Sequence, residues 1–235
     1  MEVLTESKPQ MQVEEIEIKK AVILLSGGVD STTLLYDLIN HGFETHPISF
    51  IYGQKHKMEV GMALATCTKL GLELEIVKLE ALGQLAPSAL TRNSIEIPQG
   101  HYEDESMKAT VVPNRNMVFI ALATSYAIGL KANRVYYAAH SGDHAIYPDC
   151  RPAFLIALNK AIKLCDYEKI QLEAPYLYWS KADIVKRGQE LRVDYSLTWS
   201  CYEGGTKACG KCGTCVERAE AFENAGIKDP LEYKE

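Results

Sequence analysis

Four of the seven cysteines fall near the C-terminus as Cys201-x7-Cys209-x2-Cys212-x2-Cys215. Four thiolates so spaced suit a closed tetrahedral site, the ligand set of a structural zinc ion with no position left open for a substrate. An iron–sulfur cluster takes the same four ligands and is the competing reading. Gly204, Gly205, Gly210 and Gly213 ease the turns between them. Cys67, Cys150 and Cys165 are scattered. The odd count therefore reads as four ligands plus three free thiols in a reducing compartment, rather than as a disulfide framework.

The second reactive stretch is Leu24-Leu25-Ser26-Gly27-Gly28-Val29-Asp30-Ser31-Thr32-Thr33. An apolar run ends at Leu25, two glycines let backbone N–H groups turn inward, and a helix follows. Its N-terminus adds positive potential and the hydroxyls add donors, which together make a phosphate cradle. The stretch lacks the Gly-Lys-Ser/Thr of a Walker A loop and the Gly-x-Gly-x-x-Gly of dinucleotide binders. Ser26–Ser31 resembles the pyrophosphatase-type loop of ATP-cleaving enzymes that adenylate their substrates. The bland alternative is a tight turn whose glycines serve sterics alone. Two cations fit an anion nearby. Lys181 opens a helix, where the dipole opposes it unless an anion is present. Arg115, just before a long helix, can fork onto phosphate or carboxylate oxygens.

These residues need a frame. Apolar runs at Val22–Leu25 and Pro47–Tyr52, and a near-alternating run at Leu72–Leu79, alternate with helical patterns from Ser31, taken as the cap, and from Lys57 to Leu70. A helix over Asn116–Lys131, strands at Arg134–Ala139 and Lys169–Ala174, and helices at Pro152–Cys165, Ser180–Leu191 and Cys212–Ala225 follow. This rhythm predicts an α/β fold, a doubly wound parallel five-stranded sheet covered on both faces, with a C-terminal zinc-binding segment. Residues 81–113, punctuated by Pro87, Pro98, Gly100 and Pro113, read either as a lid over the site or as a solvated loop. Residues 1–20 read as a polar leader, and 21–235 as one domain that includes the cysteine segment at 196–235.

The segment Ala139–Pro152 follows a strand, where open α/β sheets bind ligands, and it concentrates His, Asp, Tyr and Arg. His140 and His144 are candidate proton carriers or ordinary loop histidines. Cys150 reads as inert.

The chain has 235 residues and a formal charge of −6. It can bury a large core without staples. The acidic balance argues against a nucleic-acid substrate, whose phosphates demand a basic face. The longest uncharged run, Asn116–Leu130, is too short to span a bilayer comfortably. The start carries no signal-peptide pattern, so the expected location is the cytoplasm.

The loop, Tyr52-Gly53-Gln54, Val112-Pro113-Asn114-Arg115-Asn116, Tyr147-Pro148-Asp149-Cys150-Arg151, Ser196-Leu197-Thr198-Trp199-Ser200-Cys201 and the other three clustered cysteines together resemble the 7-cyano-7-deazaguanine synthase family. The match keeps motif order from about Ala21 onward. The resemblance implies a pyrophosphatase-loop ATP enzyme, an adenine nucleotide alpha hydrolase-like fold, and a small substrate, 7-carboxy-7-deazaguanine. Its carboxylate would be adenylated, ammonia would displace AMP, and a second ATP would activate the amide before elimination to the nitrile. The implied ATP contacts are the loop residues with Arg115 and Lys181. For the substrate, Asp143 or Asp149 could accept its guanidine-like edge, Arg151 could pair with its carboxylate, and Tyr52 or Tyr147 could stack on a base, with Gln54 beside them. Each has a loop-packing alternative. Asp30 is a candidate magnesium ligand or a loop-stabilising residue. No room is left for a glutaminase domain, so free ammonia is expected. A homodimer is the implied assembly, without nucleic acid or membrane. The alternatives are a tRNA-modifying thiolase or amidotransferase with the same loop, a non-catalytic nucleotide sensor, and a variant that stops at the amide.

Overall fold

The computed structural model describes residues 19–234. The expected leader lies outside these residues apart from Lys19 and Lys20, and Lys20 already opens the first strand.

Five strands form one parallel sheet: β1 (Lys20–Leu24), β2 (Glu44–Ile51), β3 (Glu75–Lys78), β4 (Arg134–Tyr136) and β5 (Gln171–Glu173). Their order is β3-β2-β1-β4-β5, and every pairing is parallel. The chain winds from β1 out to β3, then returns to the other side of β1. A crevice therefore opens between the carboxyl ends of β1 and β4, the switch point where such sheets bind ligands.

The central strand is apolar throughout because both its faces are covered. Ala21, Val22 and Ile23 are all fully buried. Val22 packs on one side with Ile48, Ile120, Ala123 and Leu158, from β2 and the helices α4 (Arg115–Gly129) and α5 (Pro152–Ile162). Ala21 and Ile23 pack on the other with Leu34, Leu35, Ala63 and Ile184. Those residues come from α1 (Val29–Asn40), α2 (Met58–Leu70) and α6 (Lys181–Glu190). Each such large aliphatic side chain contributes about 1.5–3 kcal/mol by leaving water.

Two expectations change in detail. Ser31 is not the cap of α1; the helix starts at Val29 with Gly28 at the cap position. The Gly28 carbonyl already accepts from the Thr32 N–H at 3.1 Å, so the turn closes three residues earlier and Ser31 sits inside it. Within 81–113 a helix α3 (Glu80–Leu85) and a 3-10 turn (Glu105–Thr110) form. This stretch leans on the cysteine segment through a bridge between Gln99 and Cys212. It places Leu90, Tyr102 and Met107 on the wall of the central cavity.

Candidate active site

The phosphate loop crosses the carboxyl end of β1. Gly27 has φ of 91°, and a Cβ there would lie 2.0 Å from the Glu59 carbonyl oxygen at the start of α2. Only glycine permits both that φ and that approach. The Ser26 N–H donates to Ser31 Oγ at 3.2 Å, the two hydroxyls lie 2.9 Å apart, and the Gly28 N–H donates to Ser26 Oγ at 3.2 Å. Leu24, Leu25, Ser26, Gly28, Val29, Asp30 and Ser31 line the cavity. Three of the expected ATP contacts do not. Gly27 packs on α2, and Thr32 and Thr33 point into the protein. Thr33 Oγ1 lies 2.8 Å from the Val29 carbonyl and 2.9 Å from the Tyr195 hydroxyl. Helical geometry turns these side chains toward the core and away from the loop mouth.

Beside the loop lies a charged cluster. Lys181 Nζ is 3.1 Å from Asp30 Oδ2 and 2.6 Å from Glu217 Oε2. Burial alone would raise the Asp30 carboxyl, but the Lys181 ammonium, His140 and the hydrogen bonds to the group together outweigh it and hold it below its ordinary value. Burial alone would lower Lys181, but Asp30 and Glu217 raise it instead, so it stays charged. Lys181 therefore shares the cavity with the loop and is held there by two carboxylates. His140 is almost fully buried, and its Nδ1 accepts from the Gly142 N–H at 3.1 Å. That leaves Nε2 to carry the ring proton, facing Asp30, Asp143 and Glu217 at 3.8, 3.7 and 3.6 Å.

The opposite wall is aromatic and carries Arg115. Its guanidinium lies 6.0 Å from the Tyr52 ring centroid. Thr110, Tyr147 and Tyr202 form a hydroxyl chain with steps of 2.9 Å each. Gln54 accepts from the Tyr52 N–H at 2.7 Å and donates to the Phe50 carbonyl at 3.2 Å, so its amide shapes the turn after β2. Tyr52, Gln54, Arg115, Asp143 and Tyr147 all reach the cavity.

Asp149 and Arg151 do not line it. Asp149 Oδ2 accepts from the Asn116 N–H at 3.1 Å, which satisfies a free donor at the start of α4. Arg151 donates to the carbonyls of His144 at 2.8 Å and Ala145 at 3.2 Å and is exposed. Its fork is spent on tying down its own loop; Arg115 is the arginine inside. Cys150 does line the cavity, but burial pushes its thiol well above the ordinary range, which matches the inert reading.

Trp199 and Ser200, which directly precede the first clustered cysteine, line the cavity; Glu59, Glu217, Tyr202 and Tyr102 also line it, with no sequence signal pointing to them. Glu59 sits in the first turn of α2, where an acid ordinarily just complements the helix dipole. Burial pushes its carboxyl up to about 7. Glu217 lies in α7 (Gly213–Ala225), and only its closeness to Cys215 ties it to any motif.

The four cysteines are buried, and their sulfurs all lie within 4.8 Å of one another. Zinc–sulfur bonds of about 2.3 Å place tetrahedral sulfurs about 3.8 Å apart, so the cluster suits one ion. Backbone N–H groups of Cys209, Lys211 and Cys212 lie 3.3–3.4 Å from Cys201 and Cys209 sulfurs, the donors thiolates need.

A parallel α/β sheet with a pyrophosphatase-type loop at its switch point and a closed four-thiol site defines an ATP-using class of enzyme. The family model described as "Queuosine biosynthesis protein QueC" matches residues 20–226. The chain belongs to that family. It is 60% identical over 215 residues to the 7-cyano-7-deazaguanine synthase of Caldicellulosiruptor saccharolyticus, covering 92% of this chain and 96% of that one. It is also 60% identical to the synthase of Methanoregula boonei, over 92% and 99% of the two chains. Two solved structures share the fold alone. A 4-thiouridine synthetase in complex with RNA and bound ATP matches at a TM-score of 0.52 and 17% identity, over 88% of this chain and 50% of that one. The NMN synthetase of Francisella tularensis matches at 0.51 and 14%, over 90% and 79%. Among the described residues, no helix is long and apolar enough to cross a membrane.

Proposed function

We propose that this chain converts 7-carboxy-7-deazaguanine and ammonia to 7-cyano-7-deazaguanine, consuming ATP. One observation carries the reading: the Ser26–Ser31 loop, Lys181, Arg115 and the aromatic wall of Tyr52 and Tyr147 share one cavity. A phosphate cradle and a flat, aromatic, partly cationic chamber open on each other, as adenylation of an aromatic acid requires.

The loop N–H groups and the Ser26 and Ser31 hydroxyls hold the phosphates. Lys181 offsets charge building on the α-phosphate as pyrophosphate leaves. The substrate carboxylate attacks that phosphorus and forms an acyl adenylate. Free ammonia displaces AMP to give the amide. A second ATP activates the amide oxygen, and loss of AMP leaves the nitrile. The loop type supports AMP and pyrophosphate as products. Arg115 is well placed for the substrate carboxylate or a phosphate, and Asp143 for the guanidine-like edge of the base.

Asp30 fits a magnesium ligand in part. Its Oδ1 is buried and without a hydrogen-bond partner among the described residues, while Oδ2 pairs with Lys181. Bound magnesium would supply further charge neutralisation on the phosphates. The cysteine site takes zinc as a structural staple, one ion per chain. A single domain over 21–235, a homodimer and a cytoplasmic location complete the reading.

The test is a product mass. With ATP, magnesium, ammonium and 7-carboxy-7-deazaguanine, the nitrile is expected. An amide alone would cut the function to its first half, and no ATP consumption would overturn it.

A further inference from the structure

Four carboxyl groups line the cavity: Asp30, Glu59, Asp143 and Glu217. Three are engaged. Asp30 and Glu217 pair with Lys181, and Asp143 accepts from the His140 N–H at 3.2 Å. The Glu59 carboxyl alone has no hydrogen bond or ion pair among the described residues. Its backbone is locked in place, because the Glu59 carbonyl packs against Gly27 of the phosphate loop. A rigidly mounted acid that no protein group satisfies is held for something that enters the cavity.

Resting on the function proposed above, we propose that Glu59 is the general base that takes protons from the reacting nitrogen. The reaction needs such a base more than once. When ammonia adds to the acyl adenylate, the new C–N bond forms, the C–O bond to AMP breaks with its electron pair, and one N–H proton must leave. When ATP activates the amide oxygen, the O–P bond forms, pyrophosphate leaves and one amide N–H proton is lost. When the resulting imidate collapses, the remaining N–H proton leaves nitrogen and that pair completes the carbon–nitrogen triple bond. The C–O bond breaks and AMP departs. Glu59 receives the proton in each step and returns it to water between them. Ammonia is the only co-reactant beyond ATP.

The surroundings suit this role. Arg115 of α4 and Lys181 of α6 are the cations that face the carboxyl, and the phenols of Tyr52 and Tyr202 feel its charge. Burial outweighs both cations and brings the group to about 7, near the operating range of an efficient base.

The test separates steps at phosphorus from steps at nitrogen. In Glu59→Gln, amide formation and conversion of the 7-carboxamide to nitrile are expected to slow by about 10²–10³-fold. Single-turnover pyrophosphate release from acid and ATP should fall by less than about fivefold, because removing a general base acts only where a proton moves. With the carboxamide as substrate, ammonia's own titration does not enter. The wild-type rate should then rise through about pH 7, and this limb should vanish in the variant. Should Glu59→Gln prove unfolded by thermal melt, Glu59→Asp carries the test: it keeps a base and must keep a pH limb. Wild-type nitrile formation by Glu59→Gln, equal loss of pyrophosphate release, or an unchanged pH profile would overturn the role. Failure of the wild-type enzyme to release pyrophosphate from the acid would instead sink the functional reading beneath it.

Discussion

The Trp199 N–H donates to the Gly27 carbonyl at 2.9 Å. That bond joins the phosphate loop to the strand of chain running into Cys201. From the other side, Thr214 Oγ1 donates to the Ser200 carbonyl at 2.6 Å. The cysteine site thus braces one edge of the phosphate loop although it has no open position for a substrate.

Metal removal should therefore be felt at the loop. Cys212→Ser, or chelation of the wild type, is expected to lower Tm and weaken ATP binding together. Elemental analysis should return one zinc per chain before treatment and no iron. Unchanged Tm without metal would contradict the structural role, because closed four-thiolate sites contribute folding free energy directly.

Lys181→Met should reduce kcat/KM by about 10²-fold, which corresponds to roughly 2.7 kcal/mol of transition-state stabilisation. The same change should alter acid stability. Asp30 has a folded value below its ordinary 3.8, so its contribution is present above 3.8 and is lost as pH falls through that lower value. Without the ammonium its carboxyl rises, and acid unfolding should begin at higher pH. Acid titration followed by circular dichroism reads the shift.

Arg115→Ala and Arg151→Ala separate the two arginines. Arg115 lines the cavity and Arg151 is bonded to two loop carbonyls. The first should cost more than about tenfold in kcat/KM and the second only a few-fold, since about 1.4 kcal/mol separates each tenfold step. Steady-state kinetics on the acid would reverse the assignment if Arg151 proved the more damaging loss.

Arg218→Met should destabilise by about 3–5 kcal/mol, as breaking a buried charge pair does. Arg218 is fully buried and bonds Asp229 at 2.9 Å, Thr198 Oγ1 at 2.9 Å and the Tyr195 carbonyl at 3.3 Å. It ties the C-terminal tail to the segment before the cysteines. Urea unfolding measures the loss, and adding Asp229→Leu should recover part of it by removing the orphaned acid.

The glycine loop and the four-thiol cluster were readable because both are local. Two glycines between a buried strand and a helix, or four thiols within fifteen residues, already contain most of their own geometry. The parallel sheet was readable for a related reason. A strand buried on both faces is apolar without alternation, and Ala21–Ile23 shows that directly. Glu217 and Tyr202 were not readable as site residues, because nothing in their neighbourhood marks them apart from the cysteines they adjoin. Asp149 and Arg151 lie in a segment rich in chemistry, yet their side chains bond the backbone around them and do not line the cavity.

The residues alone thus determined the class of fold, the glycine loop after β1 and the cluster of four thiols. Tertiary structure decided which acids and cations meet. Lys181 lies 151 positions along the chain from Asp30 and 36 before Glu217, yet the three share one charged contact. Pattern and propensity reach across a turn or two of helix. The pairing of distant side chains depends on how the sheet's two halves diverge from β1, and on where the last helix returns to close the cavity.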